Sequence, residues 1–191
     1  MICPLFIFAS VLAEPLFRFI FTEKWLPAVP YFQWLCIAGI FFPLNSFNLQ
    51  ILNIKGRSDL YLKLEVVKKI IIAVGIIIAI PFGIKAIIIF QVINSLISYV
   101  INSYYTGLFI QYTLMQQIID VLPIFALTLF CGSVIIITTH FFYFLTDIFQ
   151  LIFGFFLGGA MYWIIAKYLK LKIYSEATHL FRNHLLSRII N

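Results

Sequence analysis

Long apolar runs alternate with short polar breaks along nearly the whole chain. The clearest pair, Tyr31 to Ile51 and Ile70 to Ile80, flanks the one stretch of the first 165 residues where charges crowd together, Leu52 to Lys69 (LNIKGRSDLYLKLEVVKK). A hydrocarbon core about 30 Å thick needs about 20 helical residues to cross it. Six segments meet or approach that length, at 1–21, 29–53, 59–80, 85–109, 118–141 and 146–168. The breaks between them, TEKWLP, KGRSD, PFG, QYTLMQQ and FLTD, carry turn chemistry. The pattern predicts an all-α, polytopic membrane helix bundle of about six transmembrane helices over 1–170. A short tail at 171–191 follows. Its Tyr174, Ala177, Phe181 and Leu185 fall on one side and Lys172, Glu176, Arg182, Asn183 and Arg188 in other directions, as in an interfacial helix. The opening MICPLFIFASVLAEP also admits a signal-peptide reading, with Val11 and Ala13 as a small-residue cleavage pattern. It lacks a basic n-region, and five more spans follow, so it reads as a span that begins abruptly, like a cut end.

Two predicted spans are not uniformly apolar. The segment at 29–53 carries Asn45, Ser46, Asn48, Gln50 and Asn53, of which Ser46, Gln50 and Asn53 fall within about 60° on a helical wheel. The segment at 85–109 has a clearer stripe, with Gln91, Asn94, Ser95, Ser98, Asn102 and Thr106 within about 120°. Amides left unpaired in hydrocarbon are costly, so the stripe is expected to face protein or water. One reading is interhelical glue, each hydrogen bond contributing about 0.6 kcal/mol. The other is one wall of a polar cavity.

Charge supplies the expected orientation. If the side alternates at each span, Lys55, Arg57, Lys63, Lys68, Lys69, Lys167, Lys170, Lys172, Arg182 and Arg188 share one side, and Arg18, Lys24 and Lys85 the other. Because Lys and Arg favour the cytoplasmic face, that ten-to-three split places the KGRSD turn and both ends of the chain in the cytoplasm. Lys68 and Lys69 lie about a third of the way into the 59–80 segment, where a lone cation costs up to about 3 kcal/mol. Either they snorkel to the interface or they bind an anion. Adjacent positions point about 100° apart, so one at most can face a cavity squarely.

Composition agrees with the pattern: 63% of residues are apolar and 10% charged, against about 45–50% and about 25% in soluble domains. The net charge of +6 is concentrated in a few loops, which argues for topology and against nucleic-acid binding. Cys3, Cys36 and Cys131 are scattered through apolar segments without metal-ligand spacing and read as packing residues, so no metal or cofactor is expected. No catalytic arrangement of Ser, His and Asp, carboxylate pair or phosphate-binding loop can be read. His140, His179 and His184 fall on opposite sides of the membrane, and the longest loop is too short to hold a catalytic centre, so the chain is not expected to be an enzyme. Gly154 and Gly158 form a GxxxG that permits close helix approach, with Gly159 beside them. Glu14 before Pro15 reads as the end of the first span, and His140 as an interfacial residue.

One region resembles a known family. A span ending in AEPL, a KW turn, a helix of the AVPYFQWLCIAG kind and then KGRSDLYLKLE, together Ala13 to Lys69, resemble the later part of bacterial polysaccharide exporters. These are the O-antigen and capsule flippases of the multidrug/oligosaccharidyl-lipid/polysaccharide superfamily. Beyond Lys69 only hydropathy and length agree. The resemblance implies one lobe of a two-lobe transporter around a central cavity. Such a transporter moves polyprenyl-diphosphate-linked oligosaccharide across the bacterial inner membrane for O-antigen or capsule synthesis. It further implies the C-terminal half of that fold, incomplete alone, with a missing N-terminal half, membrane lipids and the lipid-linked oligosaccharide as partners. Trp25 and the turn Gly56–Arg57–Ser58–Asp59 would be structural signatures. The expected substrate-binding residues are Lys68, Lys69, Gln91, Ser95, Ser98 and Asn102. The alternative is a small membrane enzyme of envelope polysaccharide synthesis, a polymerase or acyltransferase.

Overall fold

A computed structural model describes residues 2–141 and 146–169. Within them the chain is a bundle of α-helices: α1 (Ile2–Val11), α2 (Ala13–Phe21), α3 (Val29–Ile54), α4 (Ser58–Ala79), α5 (Ile84–Ile110), α6 (Leu114–Phe141) and α7 (Asp147–Tyr168), with no strand among the described residues. The tail expected at 171–191, with His179 and His184, lies outside them.

The all-α membrane architecture stands, but the expected six spans do not. Among the described residues, four helical stretches are long and apolar enough to cross a membrane: Glu23–Ile54, Ile84–Ile110, Leu114–Phe141 and Asp147–Tyr168. A fifth exists only if α1 and α2 are counted as one broken span, because they meet at 71°. The sequence predicted a single span over 1–21. Pro15 supplies the reason for the break, since it withholds the N–H that the Val11 carbonyl would accept one turn back. At the same place Gln33 Nε2 of α3 donates to the Ser10 carbonyl at 3.1 Å, pairing a backbone acceptor at the bend. The segment expected at 59–80 is helical as α4, and its 22 residues reach about 33 Å. Asp59, Lys63, Glu65, Lys68 and Lys69 crowd its first half, so only its second half is apolar.

The turns are built from their own residues. After α3, Gly56 takes a φ of 70°. The Arg57 N–H reaches the Leu52 carbonyl at 2.9 Å and the Gly56 N–H the Asn53 carbonyl at 3.0 Å. That crossed pair is a Schellman motif, whose left-handed position favours glycine. Arg57 also pairs with Asp59 at 3.1 Å and lies over the Phe109 ring of α5 at 5.4 Å, which ties the KGRSD turn to the end of that helix. α6 begins at Leu114, four residues before the predicted 118, because Thr113 and Gln116 cap it reciprocally. Gln116 Oε1 accepts the Thr113 N–H at 2.8 Å, and Thr113 Oγ1 accepts the Gln116 N–H at 3.5 Å.

An apolar core sits where α1, α3, α6 and α7 meet, around Ile7, Phe8, Leu12, Ile40, Cys131 and Ile135. The GxxxG of α7 serves it. A Cβ on Gly154 would come within 2.8 Å of Leu12, and one on Gly158 within 2.5 Å of Ile135, whereas Gly159 faces open space. The second packing unit is α3 against α5, with α4 laid over both. Gly75 of α4 there receives the Phe90 ring of α5.

Candidate functional site: a cation-lined cavity between α3, α4 and α5

The polar stripe of α5 is turned inward along its length. Asn94, Ser98, Asn102 and Thr106 are buried, and Gln91 and Ser95 half-buried. α3 meets it with Asn45 and Asn48. The predicted trio Ser46, Gln50 and Asn53 is not the inward face as a unit, because Gln50 and Asn53 are exposed.

Towards the KGRSD end the stripe is sealed. Asn48 Nδ2 donates to Ser103 Oγ at 3.1 Å and to Gln117 Oε1 of α6 at 3.0 Å, and Ser103 Oγ donates to the same Gln117 Oε1 at 3.0 Å. Asn102 Nδ2 donates to Asn45 Oδ1 at 2.8 Å, and Thr106 Oγ1 to the Asn102 carbonyl at 3.1 Å. These bonds link α3, α5 and α6, although the amide oxygens of Asn48 and Asn102 are buried without a hydrogen-bond partner among the described residues.

Towards the other end the stripe opens. A cavity of about 640 Å³ lies between α3, α4 and α5, with Phe6 of α1 at its edge. Its polar wall is Asn45, Gln91, Asn94, Ser95 and Ser98, and its charged wall is Glu65, Lys68 and Lys69 of α4. Tyr61, Glu65, Lys68 and Ile72 recur at helical spacing, which is why one face of α4 presents them together. Lys68 is 9% exposed and its Nζ pairs with Glu65 Oε1 at 2.6 Å. Lys69 lines the cavity too but is exposed, and it has no carboxylate partner among the described residues. The two lysines thus diverge, one held inside and one at the rim.

Five of the six residues expected to bind substrate, Lys68, Lys69, Gln91, Ser95 and Ser98, border this cavity. Asn102 does not. It is 1% exposed and belongs to the sealed network. Glu65, Tyr61 and Asn45 border the cavity without having been singled out as site residues. The signal for Glu65 was its place one turn before Lys68.

A second cavity of about 460 Å³ lies at the α1–α2 bend, where Glu14, Arg18, Gln33, His140 and Asp147 converge. Glu14 and Arg18 pair there at 2.7 Å. Glu14 and His140 are thereby brought to one place, which their spacing in sequence did not suggest. Among the described residues no cluster of His, Cys, Asp and Glu could hold a metal ion.

The fold and the cavity define the class: a helical membrane-type bundle with an open cavity of mixed polar and apolar lining, bordered by two lysines and a glutamate. No protein-family model matches the chain, and neither the curated proteins nor the solved structures give a match.

Proposed function

We propose that this chain is one lobe of a transporter for polyprenyl-diphosphate-linked oligosaccharide in a bacterial inner membrane, with the KGRSD turn on the cytoplasmic side. The observation that carries the reading is the cavity beside Lys68 and Lys69. An anion entering a low-dielectric bundle needs cations and hydrogen-bond donors, since an unpaired charge there is far costlier than a paired one. The lysines supply the charge, and Gln91, Asn94 and Asn45 supply amide groups. Phe6, Leu35, Phe42 and Ile72 line the same chamber, which suits a ligand that is part headgroup and part hydrocarbon. The basic split along the sequence supports loading from the cytoplasmic leaflet.

The test is direct binding. The purified chain in lipid nanodiscs is titrated with a polyprenyl diphosphate carrying a short sugar, and the bound fraction is read by native mass spectrometry. The wild type should bind, and the double variant Lys68→Ala, Lys69→Ala should lose more than about tenfold in affinity, a difference of about 1.4 kcal/mol. No binding by the wild type, or equal binding by the double variant, would overturn the reading. Reporter fusions after Ser58 and Gly83 test the orientation, the first expected cytoplasmic and the second periplasmic.

A further inference from the structure

Resting on that reading, we infer that Glu65 limits the charge specificity of the cavity: it is the resident counter-ion of Lys68 and yields only to a headgroup bearing two negative charges. The geometry gives the reason. Glu65 Oε1 holds Lys68 Nζ at 2.6 Å, and both side chains line the cavity with Lys69. While that pair is closed, its charges cancel and Lys69 alone offers a net positive charge to a ligand.

Each phosphodiester in a sugar-linked headgroup carries one negative charge. A monophosphate-linked sugar is therefore matched by Lys69, and the Glu65–Lys68 pair stays closed. Recruiting Lys68 as well leaves the half-buried Glu65 carboxylate without its cation, at a cost between that of breaking an exposed pair and that of breaking a buried one. A second charge on the ligand offsets that loss, because Lys68 exchanges one anion for another. A diphosphate-linked headgroup carries that second charge. The carboxylate thus competes with the doubly charged ligand for Lys68 and leaves the singly charged one untouched, so it limits how strongly the cavity can prefer the diphosphate.

The experiment compares two probes with the same polyprenyl chain and sugar, one linked through a monophosphate and one through a diphosphate, on wild type and Glu65→Gln in nanodiscs. The wild type should prefer the diphosphate probe. Glu65→Gln keeps the side-chain size and frees Lys68, and should widen that preference by about tenfold, mainly by tighter diphosphate binding. A preference unchanged within about twofold, on the scale where tenfold is 1.4 kcal/mol, would overturn the inference while leaving the transport reading intact. Failure of the wild type to bind either probe would overturn both. Inorganic pyrophosphate, which has the charges without the lipid, separates the sources. Competition by it at equal concentration would overturn the lipid-linked assignment, whereas weak competition supports it.

A second readout needs no variant. Carbodiimide labelling of Glu65 in the wild type, mapped by mass spectrometry, should rise when the diphosphate probe loads and stay level with the monophosphate probe. Equal labelling under both probes would overturn the inference.

Discussion

The two ends of the α5 stripe have the same composition and opposite fates. Asn102, Ser103 and Thr106 are drawn into bonds with α3 and with Gln117 of α6. From Gln91 to Ser98 the same residue types face a chamber, because α4 stands opposite and presents lysines and a carboxylate. Asn45 joins the two, donating from Nδ2 to the Ser95 carbonyl at 3.2 Å while its Oδ1 accepts from Asn102. An amide inside a membrane bundle is therefore not by itself a sign of a site. What distinguishes the ends is whether the polar groups bond to neighbouring helices or border a cavity. Glue and cavity wall, which spacing left as rival readings of one stripe, are both present and divide it.

The strongest way to break this contrast is at Lys68. On the open side a charge should govern binding. Lys68→Ala should weaken polyprenyl-diphosphate binding by about 30-fold, the low end of what truncating a buried charge partner removes, about 2 kcal/mol. Lys69→Ala, at the exposed rim, should cost about fivefold or less, about 1 kcal/mol. Lys68→Arg should retain part of the affinity, since the charge remains but the compact ammonium does not. If the chain is a lobe of such a transporter, Lys68→Ala in the whole transporter should stop surface glycan export and Lys69→Ala should affect it much less. Normal binding and export by both single variants and by the double would reduce the lysines to interfacial anchors.

The sealed side should respond in the opposite sense. Asn48→Leu removes donors to Ser103 and Gln117, and should destabilise the bundle by about 1–2 kcal/mol, following the cost of leaving buried partners unpaired. Its ligand affinity should not change. Ser98→Ala, on the chamber wall, should cost less than about 0.5 kcal/mol, the range of substitutions that leave no partner stranded. Reversible unfolding in mixed micelles measures both. If Ser98→Ala destabilises as much as Asn48→Leu, the division of the stripe is wrong.

Much of this was legible in the chain, and the failures have physical causes. The stripe Gln91 to Thr106 could be read because a period of 3.6 places it on one face, and unpaired amides in hydrocarbon leave only one way for that face to turn. The amides of α3 point in several directions, so spacing could not say that Asn45 and Asn48 face inward while Gln50 and Asn53 do not. That choice is made by the partner helix. The bend between α1 and α2 depends on Pro15 and on Gln33, which arrives from 23 residues away. Hydropathy over 1–21 is blind to both. Counting charges would have demoted the 59–80 segment as a simple span, yet the same charges build the chamber's wall. Glu65 was overlooked because a carboxylate one turn from a lysine reads first as an ordinary helix-surface pair.

The smallest expected effect lies at the rim of the sealed end. Tyr112 sits between α5 and α6, where its carbonyl accepts Gln117 Nε2 at 3.2 Å, so it finishes the network that begins at Asn48. Its phenol donates to Asp120 Oδ2 at 2.7 Å. Burial first, then the bond to Asp120, the charge of that carboxylate and nearby Tyr99, push the Tyr112 phenol up to about 12, from an ordinary value of about 10. A group whose value is raised on folding stabilises the folded state fully below its unfolded value and loses that contribution as pH climbs through the folded one. The pair should therefore support the sealed end up to about pH 10 and release it between about 10 and 12. The partial exposure of the pair keeps the effect below about 1 kcal/mol. Phenolate absorption of wild type minus Tyr112→Phe isolates this one tyrosine, and Asp120→Asn should bring its titration back towards the ordinary range. If the isolated component titrates near pH 10 in the wild type, Tyr112 is not held by Asp120, and the sealed end stops at Gln117.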